Sequence, residues 1–232
     1  MEYTIPLLAA LGYISYRMGA LNLWGSLTAV LLGYAVLTLG GFLVFGAMLA
    51  FLVMGTAATR FRAREKMARG LLDEVQGRGM GNVLGNGLGP VLFLLLEHAT
   101  SADYGWAAVF SAIATANADT LASEIGKVFG RKPRLITNLR PARPGEEGAI
   151  SPEGELAALL GALSIGLFAL PLTSHDASML VAVTLGGFAG ANVDSLIGAA
   201  LEKKGYIGNN GTNFLATLAG GLVGMATFLL LA

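Results

Sequence analysis

Cysteine is absent from the chain, so disulfides and thiolate metal sites are excluded. Charge is scarce: 13% of residues are Asp, Glu, Lys or Arg, against roughly 25% in a soluble domain. Histidine occurs twice, as His98 and His175, and both are read as incidental to the chemistry. No G-x-x-x-x-G-K-[ST] run is present, so any nucleotide would be held without a P-loop. Met1-Glu2-Tyr3 supplies no basic n-region, and no small-residue cleavage site follows. The first segment is therefore expected to be a membrane segment and not a signal peptide.

Apolar residues take the place of charge. They make up 54% of the 232 residues, and the mean hydropathy is +0.65. The 33 glycines suit closely packed membrane helices, where small residues let backbones approach. Against the ~20 residues needed to cross hydrocarbon, the apolar runs predict helices at 3–17, 21–39, 41–59, 82–98, 105–125, 154–172, 177–200 and 211–231. The first is short enough to be a half-span. The expected architecture is an all-α, polytopic transmembrane bundle of about seven to eight helices, in one integral membrane domain over 1–232.

Orientation follows from charge. With eight alternating spans, the connections near 17–21, 60–81, 126–153 and 201–210 share a face. All 15 Lys and Arg residues fall there: Arg17; Arg60, Arg62, Arg64, Lys66, Arg69 and Arg78; Lys127, Arg131, Lys132, Arg134, Arg140 and Arg143; Lys203 and Lys204. The other face carries Glu2, Glu97, His98, Asp103, His175 and Asp176. Positive loops stay in the cytoplasm, so 60–81, 126–153 and 201–210 are expected to be cytoplasmic segments of a multi-pass cell-membrane protein. The stretch 60–69 reads best as a topological anchor against anionic lipid.

An internal repeat locates the chemistry. Ala116-Asn117-Ala118-Asp119-Thr120-Leu121 matches Ala191-Asn192-Val193-Asp194-Ser195-Leu196 at five of six positions, counting Thr for Ser. Both copies lie near the basic end of helices running the same way, which points to duplicated elements. A carboxylate inside a membrane helix is costly and by default faces the bundle interior or a watery cavity, so Asp119 and Asp194 are the leading candidates. Glu124 follows Asp119 by five residues, a rotation of about 500°, so the two point apart unless the helix ends between them. Thr120 with Ser123, or Asn117 with Asp119, could flank a metal more easily. Asn82 and Asn86, Ser151 and Glu153, and Asn209, Asn210, Thr212 and Asn213 fall at the starts of helices whose N-termini point to the basic face. Helix N-termini bind phosphate, and carboxylates beside phosphates need Mg²⁺ between them. A Mg²⁺–polyphosphate site at the membrane surface is the economical reading.

The runs Ala118-Asp119-Thr120-Leu121-Ala122-Ser123-Glu124-Ile125-Gly126, Pro133-Arg134-Leu135-Ile136-Thr137, Asp194-Ser195-Leu196-Ile197-Gly198-Ala199 and Asn210-Gly211-Thr212-Asn213-Phe214-Leu215 resemble the domain-of-unknown-function 92 integral membrane family. That family includes plant and cyanobacterial phytyl-phosphate kinases. Asp119 through Gly130, followed by Ile150-Ser151-Pro152-Glu153-Gly154, is more distantly similar to CTP-dependent dolichol and phytol kinases. The resemblance implies a kinase that converts a prenyl monophosphate to the diphosphate with a nucleoside triphosphate, CTP being favoured. On that basis Asp119 and Asp194 ligate Mg²⁺, and Glu124 is a third ligand or orients one. Asn86, Asn117, Asn192 and Asn213 bind phosphate or ribose oxygens, with Ser151 and Glu153 alongside. Lys127, Arg134 and Arg140 neutralise the transferring group. The rival readings are a lipid transporter or flippase, a polyprenol kinase or cytidylyltransferase, and a non-catalytic assembly factor.

Overall fold

The computed structural model describes residues 4–72, 77–172 and 176–232, with Asp176 described by its backbone alone. Glu2, His175 and the Asp176 side chain, expected on the acidic face, lie outside the described residues. The helices are α1 (Thr4–Arg17), α2 (Leu23–Arg60), α3 (Ala63–Ala68), α4 (Met80–Thr100), α5 (Asp103–Phe129), α6 (Pro152–Ala169), α7 (Asp176–Ile197) and α8 (Asn209–Leu231). A 3₁₀ turn, Leu170–Leu172, ends α6, and a π-helical turn, Gly198–Glu202, extends α7. The protein is an all-α membrane bundle, as its composition requires.

The 38 residues of α2 would measure about 57 Å if straight, far more than a bilayer core. The helix is not straight. Gly41 adopts φ 70°, ψ −168°, a conformation that costs a side-chain-bearing residue but not glycine. The chain doubles back there. The Phe45 ring lies 3.2 Å from the position a Cβ would take on Gly33, and Val30 and Leu32 of one arm line the same cavity as Phe45 and Leu49 of the other. The two arms of α2 are therefore the separate spans expected at 21–39 and 41–59.

Contacts gather the basic connections at one end. The Arg60 guanidinium donates to Met18 O. Residues 20–22 pair with Arg78 through Asn22 N–H to Arg78 O at 3.1 Å and Arg78 N–H to Ala20 O at 3.0 Å. Arg69 Nη1 donates to Lys127 O at 2.9 Å, and Lys203 Nζ pairs with Glu146 at 2.7 Å.

Helix α5 is the axis of the bundle, packed against α2, α4, α6, α7 and α8. Among the described residues, five helices are long and apolar enough to cross a membrane: α2, α4, α6 with its 3₁₀ turn, α7 with its π turn, and α8. α5, expected as a span over 105–125, is not among them, because Asp103, Asn117, Asp119 and its Ser and Thr residues make it too polar, and other helices cover it. Every residue from 107 to 118 is buried, so its polar groups face protein and not lipid. Small residues set the closeness of this packing. A Cβ on Gly161 would lie 3.2 Å from Ala118 Cα, and one on Gly154 would lie 3.1 Å from Ala122 O. The N-terminal half of α6 is thus flush against the segment of α5 that carries Asp119.

Two features had no counterpart in the sequence reading. The 60–81 connection contains α3, and the 126–153 connection contains a small antiparallel ribbon, β1 (Arg134–Leu135) with β2 (Ala149–Ile150). Helix α5 also continues four residues past the expected end of its span, at 125.

Candidate functional site

Helices α5 and α7 run parallel and bring the two copies of the repeat together. Asp119 and Asp194 face each other within hydrogen-bonding reach. Both line a cavity of about 200 Å³ at the basic end. Asp194 Oδ2 is buried with no hydrogen-bond partner among the described residues. The repeat's asparagines both turn toward α6 but engage it differently. Asn117, fully buried, donates from Nδ2 to Gly161 O at 2.9 Å and Ser164 Oγ at 3.3 Å. Asn192 donates to Glu155 Oε2 at 3.1 Å and Phe188 O at 3.0 Å.

The third wall of the cavity is the start of α6. Ser151 is its N-cap, accepting from Gly154 N–H at 3.2 Å, and Pro152 holds the first turn, the arrangement expected of a capped helix start. A roof closes over it, formed by residues 144–150 of the ribbon. Gly148, at φ +76°, lets the roof descend onto α7, because a Cβ there would lie 2.7 Å from Ser195 O. Lys203 ties the roof down through Glu146. Lys203 and the Arg143 backbone N–H hold the Glu146 carboxyl below its usual range. Burial, and then the nearby Glu202, push the Glu147 carboxyl above its usual range, with Lys127 opposing.

The cavity is acidic. Asp119, Glu146, Glu147, Glu155 and Asp194 line it against one cation, Lys127. Of the residues expected in the site, Asp119, Asp194, Lys127 and Ser151 are brought together. Glu124 is not. Its carboxylate is held by Lys66 at 2.5 Å and Lys127 at 3.0 Å on another face of α5, as its 500° offset from Asp119 demands. The Asn117 amide nitrogen is spent on α6, while its Oδ1 is buried with no hydrogen-bond partner among the described residues. Asn86 donates to Asn82 O at 3.0 Å and lines a different cavity. Asn213 donates to Asn209 Oδ1 at 3.1 Å, and it is Asn209 that borders the acidic cavity. Glu153 accepts from Arg131 N–H at 3.0 Å, just outside the cavity. Arg134 donates to Leu139 O at 2.7 Å, and Arg140 is exposed; neither lines it. Lys66, read as part of a lipid-facing anchor, is instead fully buried.

Glu147 and Glu155 were missed. Glu155 had a signal, since it stands one turn after Ser151 on the same helix face. Glu147 lies in a loop and had none.

Among the described residues no group of three or more His, Asp or Glu could enclose a metal. Mg²⁺ seldom requires that: it commonly takes one or two carboxylates and completes its shell with phosphate oxygens and water. The facing pair, with its orphaned buried oxygen, fits such a cation.

An all-α bundle with a carboxylate pair sunk at one end defines a multi-pass integral membrane protein with a one-sided polar site. The chain belongs to the integral membrane protein DUF92 family, whose model matches residues 6–221. It is 35% identical over 227 residues to the uncharacterized membrane protein MJ0933 of Methanocaldococcus jannaschii, covering 97% of this chain and 93% of that one. It is 32% identical over 205 residues to the uncharacterized membrane protein sll0875 of Synechocystis, covering 86% and 80%. To the chloroplastic protein VTE6 of Arabidopsis thaliana it is 30% identical over 211 residues, covering 86% and 62%. No solved structure matches.

Proposed function

We propose that this protein is a membrane-embedded phosphotransferase that moves a phosphoryl group from a nucleoside triphosphate, CTP being favoured, to an isoprenoid monophosphate. The observation that carries the reading is the acidic cavity beneath the roof. Five carboxylates against one lysine would repel a bare polyphosphate but suit one that arrives with divalent cations. Membership of a family that includes phytyl-phosphate kinases supplies the acceptor class. The segregation of all Lys and Arg to one face supports a site on the cytoplasmic side of a cell membrane.

Asp119 and Asp194 would hold Mg²⁺, which supplies neutralisation of charge on the phosphates. Lys127, at the cavity wall, offsets charge on the transferring group. The capped N-terminus of α6 presents backbone N–H groups to a phosphate. The bond between the γ-phosphorus and its bridging oxygen breaks, an oxygen of the acceptor monophosphate takes the phosphoryl group, and the nucleoside diphosphate leaves. An acceptor phosphate that is already a dianion has no proton to lose, so no general base is needed, and positioning and electrostatics suffice.

The test is product analysis. Purified protein is incubated with each labelled nucleoside triphosphate, Mg²⁺ and a panel of prenyl alcohols and monophosphates. The expected product is a prenyl diphosphate from the monophosphate alone. A monophosphate made from an alcohol, or a cytidine-diphosphate lipid with pyrophosphate release, would replace the reading by a polyprenol kinase or a cytidylyltransferase. Absence of turnover with lipid movement in vesicles would replace it by a flippase.

A further inference from the structure

A second cavity, of about 110 Å³, lies between α1, both arms of α2, and α4. Its walls are apolar along most of their length: Leu8, Val30, Phe45 and Leu49 are among them. Its polar groups gather toward the basic end, where Arg78, Asn82 and Asn86 line it. Arg78 is held there by the fold. Its backbone pairs with residues 20–22, and its guanidinium carbon lies 5.3 Å from the centroid of the Phe51 ring. Nη2 lies 2.5 Å from where a Cβ on Gly55 would be, so the guanidinium sits directly against the backbone of α2 there. None of the ion pairs formed among the described residues includes Arg78, and no carboxylate lines this cavity. Glu124 and Asp119 lie within electrostatic range of Arg78.

We infer that this cavity binds a single-chain anionic lipid, the guanidinium of Arg78 taking its phosphate and the apolar walls taking the first part of its chain. A cavity with one cation at the membrane surface and hydrocarbon walls below matches the polarity of such an amphiphile along its length. Size narrows the class. An apolar cavity of about 150 Å³ admits one benzene, so this one, at about 110 Å³, has room for about one isoprene-sized piece of a single chain and not for two acyl chains side by side. A guanidinium is the side chain best shaped to grip a phosphate through two hydrogen bonds. With the head at Arg78, the phosphate lies on the same end of the bundle as Asp119. The inference deepens the proposed function by assigning the acceptor's site, and it rests on that reading only for the claim that the bound lipid is the acceptor.

Binding is measured on the full-length protein in detergent without nucleotide, using farnesyl monophosphate and farnesol as probes. Arg78→Gln should weaken the monophosphate at least about tenfold, as loss of a charge-assisted phosphate contact does, and leave farnesol within about twofold. Ala29→Phe, which fills the cavity and leaves Arg78 in place, should weaken both probes. Unchanged monophosphate binding by Arg78→Gln would overturn the assignment. So would competition by a two-chain phosphatidate as strong as by farnesyl monophosphate. Should Arg78→Gln fail to fold, Ala29→Phe decides alone: wild-type affinity for farnesyl monophosphate in that variant overturns the inference. Binding sensitive to both substitutions, with no turnover by any nucleoside triphosphate, would uphold this site and remove the kinase reading. Turnover with a KM for the monophosphate unaffected by either substitution would do the reverse.

Discussion

Lys66 and Glu124, 58 positions apart, meet at 2.5 Å in the interior of the basic end. Lys66 is fully buried and also donates to Ala58 O at 3.0 Å and Thr59 O at 2.6 Å. The second Glu124 oxygen accepts from Lys127 at 3.0 Å. One short helix, α3, is thereby fastened to the central helix α5. Removing one member of a buried pair leaves an uncompensated charge and costs about 3–5 kcal/mol, whereas replacing both by apolar residues of similar volume is near neutral. Glu124→Leu, which leaves the fully buried Lys66 with backbone carbonyls alone, should therefore lower unfolding stability in detergent by about that amount, and Lys66→Met added to it should recover most of the loss. Additive losses in the double variant would refute the coupling.

That pair also marks where reading the sequence stopped. The spans were legible because lipid demands long apolar runs, and because a one-helix error would have put a basic cluster on the wrong side. Asp119 and Asp194 were legible because a repeated Asn-x-Asp triplet is conspicuous in apolar surroundings. Glu124 carried the same outward signal, an acid at the end of a membrane helix, but its partner came from a connection 58 positions away. Asn117 and Asn192 are twins in sequence, yet α6 offers Gly161 and Ser164 to one and Glu155 to the other. Tertiary neighbours decide such roles, and no local pattern encodes them. The roof over the cavity, with Glu147, was hidden for a different reason: its ribbon is two residues per strand, too short for any periodicity to appear.

The reversal of α2 rests on one residue. Gly41 has φ 70° with nothing within 4 Å of an added Cβ, so substitution there tests backbone strain without steric clash. With ψ −168° this is a region that essentially only glycine occupies, and holding an L-residue there costs about 1–3 kcal/mol. Gly41→Ala should lower stability by about that much and Gly41→Val by more, since a β-branched residue is the least tolerant of positive φ. Equal stability of Gly41→Val and wild type in denaturant unfolding would show that the turn does not need glycine.

Glu147 gives the roof a pH dependence of known sign. Burial first, and Glu202 second, raise its carboxyl above the usual value. Below the unfolded value both states hold the proton, and Glu147 contributes nothing. As pH rises toward the raised folded value, the unfolded chain ionises first and the fold is penalised; above that value the penalty is complete. Glu147→Gln abolishes the penalty. In Mg²⁺-free detergent the variant should have a higher Tm than wild type at pH 8, with the difference vanishing at pH 4. A difference of the same size at both pH values would mean that the residue acts through packing and not charge.

Asp119 and Asp194 should behave as a functional pair, not a structural one. Two carboxylates held face to face cost stability in the absence of a cation, since like charges at short range repel. Asp194 Oδ2 has no internal donor to lose. Asp119→Asn and Asp194→Asn should therefore leave Tm unchanged or raised in Mg²⁺-free buffer. Each should lower turnover at least about 100-fold, the scale on which removal of one electrostatic stabiliser acts. Ligand linkage separates this from misfolding. A nucleotide with Mg²⁺ present at 100 times its Kd stabilises the protein that binds it by about 2.7 kcal/mol. That gain should be present in wild type, vanish on chelation, and be absent in both variants. A variant that kept its Mg²⁺-dependent Tm gain would take that acid out of the cation site, and one that kept its rate would take it out of the mechanism.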